Sequence, residues 1–454
     1  MPSLATILRA LTLTLTFLAA PCKAVGITSY ANMFFEPSDV INSTWFENSQ
    51  WAQEMAISWT RKLALNGPWS VTNKTVMAKS GDVHDYLSYA VYYWPNCTSV
   101  GNTTALTSEE VWDECPYYRR DGVFNPDIHV VEDNEAMANL TDSVYLAAMA
   151  YIGTGDSAYS QHINDAMHTF FVNNATRMNP SIDYSQVIRG PGTQGGRRQG
   201  VLDMRGLAKA VSGVLVLREL EAPEWTDETD QGFVQWATDM VTWLETDDLA
   251  LAEKAASNNH GTFYYNQLCA LYALLGENDK AISALNEFYN STFPGQINAN
   301  GDQPLETART RPYHYRAYNL AALTTNARIG DYVGLSPSGW NRTTTSGATM
   351  FDALKFAMAQ NASTTNEDAE INQLNPTIAA VASKFGDPDG AYAAFLKASD
   401  PYYPGQPYFA LNAGVSDSGI RQGLLRTTYG AVPAQPTKGS SWGYKRHERS
   451  RRRL

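Results

Sequence analysis

The stretch MANLTDSVYLAAMAYIGTGDSAYSQHINDAMHTF, residues 137–170, carries the reading of the fold. Met137, Leu140, Val144, Ala148 and Tyr151 recur at the 3.6-residue period of a helix with one buried face. Gly153-Thr154-Gly155-Asp156 interrupts that run, and Tyr159, Ile163, Met167 and Phe170 resume it. Glycine stops the first helix, because it enters left-handed backbone without a Cβ penalty, and Asp156 caps the second. The expectation is an antiparallel helical hairpin.

Similar punctuation recurs at Gly276 to Asp279, at Gly330-Asp331 and at Gly386 to Asp389. Stacked hairpins either form an open solenoid with a fixed short period or close into a ring. The irregular spacing and the long loops between these turns favour the ring. The expected fold is therefore all-α, an (α/α) toroid, or incomplete α/α barrel, with loops at one end where a polymer can lie.

The 454-residue chain is 44% hydrophobic and 18% charged, as expected of a well-buried globular protein. Its net charge of −12 argues against general nucleic-acid binding, so a polyanionic partner has to meet a local basic cleft. Arg9, the apolar run Ala10 to Ala20, and small residues Cys22 and Ala24 fit a signal peptide over 1–24. No later stretch has the length of a membrane span. Residues 25–432 are expected to form one catalytic domain. Residues 433–454, with Lys445, Arg446, Arg449 and Arg451 to Arg453, are expected to form a disordered basic tail. Of the cysteines left after export, Cys97 and Cys115 flank a short Thr- and Asn-containing loop and are expected to pair; Cys269, in an apolar helix, is expected to be a buried thiol. Sequons at Asn42, Asn73, Asn96, Asn102, Asn139, Asn174, Asn290, Asn341 and Asn361 agree with a secreted, extracellular protein, expected to be a monomer without membrane partners.

Four segments hold more polar and aromatic residues than connectors need. Lys79 to Asn96 offers Tyr86, Tyr89, Tyr92, Tyr93 and Trp94 as stacking faces, with His84, Asp82 and Asp85 for hydroxyls. Arg177 to Arg198 contains Asn179 and a Gly-rich half with Arg189, Arg197 and Arg198, expected to form a lid that grips carboxylates. Asn258-Asn259-His260-Gly261 joins amide donors to an imidazole that exchanges protons near neutrality. Gln303 to Asn319 alternates Arg309, Arg311, Tyr313, His314, Tyr315, Arg316 and Tyr318, and an arginine beside a tyrosine is expected to ease its ionisation. Together they suit β-elimination of a uronate, which needs the C5 carboxylate neutralised, a base for the C5 proton and an acid for the departing C4 oxygen. The scheme calls for no cofactor and no metal.

Gly81-Asp82-Val83-His84-Asp85-Tyr86 with Tyr92-Tyr93-Trp94-Pro95, then Met178-Asn179-Pro180, Asn258-Asn259-His260-Gly261, and Gln303-Pro304-Leu305-Glu306 through Arg311, resemble the alginate lyase superfamily in that order. Polysaccharide lyase families five and thirty-eight are the members most similar. The resemblance implies an (α/α) toroid acting on mannuronate- or glucuronate-containing polymers. It implies that Asn259 neutralises the carboxylate and that His260 abstracts the proton or contacts the carboxylate. For the tyrosine, one alignment selects Arg311 and Tyr318 and another Arg309 and Tyr315; the Gln-Pro-Leu-Glu context favours the second. His84, Tyr86, Tyr92, Trp94, Asn179, Arg189, Arg198 and Asn258 are the expected substrate-binding residues. Two rivals remain at this point: a toroid glycoside hydrolase using two of Asp82, Asp85, Asp203 and Glu306, and a non-catalytic carbohydrate-binding protein.

Overall fold

A computed structural model of the chain describes residues 34–41, 49–101, 105–192 and 194–406. The signal-peptide and tail assignments, and the sequons at Asn42 and Asn102, lie outside the described residues. The main helices are α1 (Gln50–Ala64), α2 (Asp133–Thr154), α3 (Ser157–Met167), α4 (Leu207–Glu219), α5 (Asp227–Thr246), α6 (Asp248–Lys254), α7 (Asn259–Leu274), α8 (Asn278–Ser291), α9 (Pro312–Val333) and α10 (Asn375–Phe385).

Helices α2, α4, α7, α9 and α10 pack successively, while α3 lies on α2 and α8 on α7. The inner helices are apolar nearly all round because they have neighbours on every side. In α4 every residue from Leu207 to Leu217 is buried, and in α7 every residue from Gly261 to Leu274. Polar groups caught inside pair across the helices. Thr262 Oγ1 donates to Asn319 Oδ1 at 2.9 Å, and Asn266 Nδ2 to Asn326 Oδ1 at 2.7 Å, stitching α7 to α9. Stranding one partner of such a buried pair costs about 1–3 kcal/mol. The result is the α/α toroid that the hairpin pattern predicts.

The hairpin read from 137–170 holds, with Gly153 still inside α2 and Phe170 in a π-helical turn, His168–Val172, that continues α3. Gly155 ends α2 at φ 66°, and Asp156 caps α3 by accepting the Ala158 N–H at 3.0 Å. Gly276, at φ 71°, turns the chain between α7 and α8. The expected turn at Gly330-Asp331 is not there: α9 runs through it to Val333, and Gly334 at φ 82° ends the helix. A Cβ on Gly330 would meet Leu335 Cδ2 at 3.1 Å, so this glycine allows close packing against the returning chain. Asp331 instead accepts from Ser338, Trp340 and Lys384.

Strand β1 (Leu87–Tyr89) pairs parallel with β4 (Tyr184–Val187), and β2 (Tyr93–Pro95) antiparallel with β3 (Tyr117–Arg119). In the second ribbon Tyr93 faces Arg119 and Trp94 faces Tyr118. Its far end is closed by the Cys97–Cys115 disulfide, with a Cα–Cα distance of 4.9 Å. Cys269 is a buried free thiol whose pKa burial pushes up. None of the described helices is long and apolar enough to cross a membrane.

Candidate active site

Asn258 stands at the N-cap of α7 but makes no side-chain cap bond. The cap comes from a distant carboxylate: Glu306 Oε1 accepts the Asn259 N–H at 2.8 Å and Oε2 accepts from Asn259 Nδ2 at 2.5 Å. Negative charge suits the positive end of the helix dipole. Buried Gln303 fixes Glu306, its carbonyl accepting the Glu306 N–H at 3.0 Å and its side chain accepting from Asn319 at 2.8 Å. Burial pushes the Glu306 pKa up, against the two Asn259 bonds and the charges of His260 and Arg309. The same device starts α9, where Glu367 accepts the Tyr313 and His314 N–H groups at 3.0 and 2.9 Å.

His260, one residue on from Asn259, engages Glu253 through Nδ1. Glu253 is fully buried near the end of α6, and its other oxygen accepts from Arg198 at 2.7 Å. With Nδ1 committed, Nε2 is the nitrogen left for proton exchange. The sequence reading missed Glu253. Its only signal was the placement of an acid seven residues before the histidine, across a helix break.

Tyr315, in the first turn of α9, is the second chemical centre. Arg309 donates to its hydroxyl at 2.8 Å while the guanidinium lies 3.8 Å from the ring centroid. The Tyr92 hydroxyl is 2.9 Å away on the other side. Asp121 holds Arg309 at 3.1 Å and Thr310 at 3.1 Å. A Cβ at Gly122, φ 75°, would come within 2.5 Å of Thr310 Oγ1, which is why the chain can press so close here. The expected ease of ionisation is reversed. Burial, joined by Tyr92, pushes the Tyr315 pKa well up despite Arg309, so the phenol keeps its proton.

The structure divides the other expected site residues. Tyr318 is packed between Phe263 at 4.2 Å and His314 at 5.7 Å, its pKa raised to about 12 by burial. Arg311 pairs with Glu370 rather than with a tyrosine. Asn179 donates to Asp82 at 3.1 Å and Asp85 at 2.8 Å, and His84 Nδ1 meets the Arg177 carbonyl at 2.7 Å, so this cluster is knit internally. Tyr86 is not an exposed platform: it is 1% exposed, donating to Asp203 and accepting from Asn134. Arg189 is no lid residue either, because it is buried among the rings of Tyr89, Trp112 and Tyr117 at 4.4, 5.4 and 5.1 Å. Arg198 serves Glu253. Trp94 keeps a partly exposed ring, anchored by Nε1 to the Val123 carbonyl at 2.9 Å. Among the described residues no group of three His, Cys, Asp or Glu side chains is arranged to hold a metal ion.

These groups share one end of the ring. Tyr86 joins the start of α2 to the chain before α4. Glu306 joins the start of α7 to the approach of α9, and the Tyr318 ring lies on Phe263 of α7. The N-termini of α7 and α9 thus meet beside the imidazole and the phenol, each already answered by a buried carboxylate, Glu306 and Glu367.

A model of the alginate lyase family matches residues 70–369, a span that holds all of these groups. The chain belongs to the alginate lyase family. Its structure is similar to that of an alginate lyase from Bacteroides ovatus, with a TM-score of 0.72 and 26% identity over 86% of this chain and 99% of that one. Alginate lyase A1-III from Sphingomonas species A1 is a more distant likeness, with a TM-score of 0.43 and 16% identity over 78% of this chain and 92% of that one. No match was found among curated protein sequences. The protein is thus a polysaccharide lyase, and both rivals fall away. The carboxylates that a hydrolase would need are engaged elsewhere in this alginate lyase relative. Asp203 accepts from Ser88, Gln186 and Tyr86, Glu306 from Asn259, and Asp82 and Asp85 from Asn179.

Proposed function

We propose that this lyase cleaves a uronate-containing polymer, glucuronan or mannuronate-rich alginate, by β-elimination. The observation that carries the reading is Tyr315, whose hydroxyl receives Arg309 at 2.8 Å and stands 2.9 Å from Tyr92. Arg309 donates to the oxygen, the contact with Tyr92 runs in either direction between the two hydroxyls, and the substrate competes with Tyr92 for the phenol's hydrogen. Asn259 is fully buried with its donors on Glu306, so the carboxylate contact that the resemblance gave to it falls to the partly exposed Asn258 beside it, at the positive end of α7. His260 Nε2 takes the C5 proton when it lies on the face opposite the tyrosine; when it lies on the same side, Tyr315 takes it in concert with handing its own hydrogen to the departing oxygen, so that the phenol ends protonated as it began. The C5 electron pair forms the C4–C5 double bond, the C4–oxygen bond breaks, and Tyr315 protonates the departing oxygen. The products are an unsaturated uronate and a new chain end.

Donors preset around the developing charge are worth roughly 3–4 kcal/mol each in barrier height. Glu253 fixes the tautomer of His260 and steadies the imidazolium. The lyase acts as a secreted, glycosylated single domain over 25–432, after removal of residues 1–24. The disulfide fits that compartment, and the sequon residues Asn73, Asn96, Asn174, Asn290, Asn341 and Asn361 are exposed.

The test is to incubate the mature chain with polymannuronate, polyguluronate and glucuronan and to follow the absorbance of the unsaturated uronate. A rise with one polymer, lost in His260→Ala and Tyr315→Phe, is expected. Undiminished turnover in Tyr315→Phe would remove the tyrosine from the chemistry, and no rise with any of the three would remove this substrate class.

A further inference from the structure

The arginines near the reacting pair are mostly spoken for. Arg309 and Arg119 share Asp121 at 3.1 and 2.5 Å. Arg198 is held by Glu253 at 2.7 Å, and Arg311 by Glu370. Arg189 is enclosed by three rings. Arg120 differs: it is exposed, and no ion pair forms between it and a carboxylate of the described residues. Its guanidinium instead lies 4.7 Å from the centre of the Trp94 ring.

Strand geometry says which face this is. Side chains alternate across a two-stranded ribbon, so residues two apart share a face. Tyr92 and Trp94 on one strand therefore face the same way, as do Tyr118 and Arg120 on the other, and the register sets Trp94 opposite Tyr118. The Arg120 N–H donates to the Tyr92 carbonyl at 2.8 Å, which locks the two strands together at this end. Tyr92 reaches Tyr315. Trp94 is two residues further along, about 7 Å by strand rise. Tyr118 beside it is 48% exposed, a large aromatic surface in solvent. Arg197, which lies 4.9 Å from the Tyr93 ring, belongs to the opposite face and is not part of this platform.

We propose that Trp94, Tyr118 and Arg120 form a distal uronate subsite, in which a sugar ring rests on the aromatic pair and its carboxylate is taken by the Arg120 fork. The inference rests on the reading of the substrate as a uronate polymer. An aromatic ring offers a flat apolar face to the sugar. A stacked guanidinium keeps its N–H edge free for two parallel bonds to a carboxylate. In a chain of net charge −12, an unpaired arginine on an exposed aromatic ribbon is a local attractor for an acidic polymer. The subsite lies one step from the cut, so it adds affinity for longer chains without touching the reacting atoms.

The experiment compares wild type with Arg120→Ala and Arg120→Lys, using the cleaved polymer, its shortest cleaved oligosaccharide, and a carboxyl-reduced polymer as a binding control. For Arg120→Ala, KM for the polymer is expected to rise about tenfold, the equivalent of 1.4 kcal/mol. At the same time kcat should stay within about twofold, KM for the shortest oligosaccharide should not move, and KM should depend less on salt. Arg120→Lys should recover only part, because a point charge lacks the fork. An unchanged polymer KM, or an equal change for the shortest oligosaccharide, overturns the subsite. Calorimetric binding of the polymers to Tyr315→Phe separates the two levels of inference. Binding of an acidic polymer that weakens with Arg120→Ala while wild type forms no unsaturated uronate keeps the subsite and rejects the elimination. Binding that ignores Arg120 and the substrate carboxyls rejects the subsite whatever the turnover.

Discussion

Glu253 and His260 sit on consecutive helices, and the buried carboxylate of the first holds Nδ1 of the second while its other oxygen binds Arg198 at 2.7 Å. The break between α6 and α7 lets an acid seven residues upstream fold back under the imidazole. Replacing Glu253 by Gln keeps the volume but lets the amide hold the wrong tautomer. The comparable change in an acid–histidine pair elsewhere costs about 10⁴ in kcat, and here about 100-fold or more is expected with KM nearly constant. Steady-state kinetics beside a thermal melt is the measurement. A kcat within twofold of wild type would show that Glu253 merely fills space.

The phenol of Tyr315 makes a second prediction. Tyr92→Phe removes one of the two groups at its oxygen and should lower kcat about tenfold to a hundredfold, with KM little changed. Tyr318→Phe, three residues along, should stay within about threefold, because that ring is set between Phe263 and His314. Since burial holds the Tyr315 pKa above that of a free tyrosine, its proton should not limit the rate below about pH 10. A large loss in Tyr318→Phe with a small one in Tyr92→Phe would exchange the two roles.

Helices and turns were legible because their signals are local. The 3.6-residue pattern and Gly155-Asp156 are read from neighbours in sequence, and the Asn259-His260 and Arg309-Tyr315 pairs each lie within one short segment. The caps were not legible in the same way. Asn258 looks like the cap of α7, yet Glu306 supplies it from 47 residues away, and Glu367 does the same for α9 from 54 residues. The lid reading of Arg189 failed because burial among Tyr89, Trp112 and Tyr117 depends on three separate segments. The ionisation of Tyr315 was misjudged for a related reason. Proximity of Arg309 shows in sequence, whereas the desolvation that outweighs it comes from the closed ring of helices.

His314 gives a stability prediction. Burial, with Arg311 next in effect, lowers its pKa from 6.5 to about 4, and the ring stacks on Tyr318 with Nδ1 at 2.8 Å from Gln373 Oε1. The unfolded chain thus binds a proton near pH 6.5 that the folded chain refuses until about pH 4. The stability attached to this group is present above pH 6.5 and lost as pH falls to about 4, up to about 3 kcal/mol in all. Melting temperature should therefore fall across that window in wild type and fall less in His314→Gln. Parallel curves for the two proteins would assign the acid sensitivity to other groups.

The disulfide and the catalytic pair lie at opposite ends of one ribbon, and this coupling can be measured. Cys97–Cys115 closes the far end of β2 and β3, joining residues 18 apart. At the near end, Tyr92 precedes β2 and reaches Tyr315, while Asp121 follows β3 and holds Arg309. The ribbon thus grips the tyrosine–arginine pair from both sides, and only two short strands carry the grip. Loop-closure entropy for a cross-link of this span is about 3 kcal/mol. Much of that loss should appear as local loosening of the ribbon, because the inner ring of helices does not depend on it. Replacing both cysteines by serine should reduce kcat about tenfold or more, in step with Asp121→Asn. The main thermal transition should shift less than the activity does. Activity that survives while the melting temperature falls would reduce the disulfide to a strap for the surface; joint loss of activity in the serine and Asp121 variants would make the ribbon part of the catalytic apparatus.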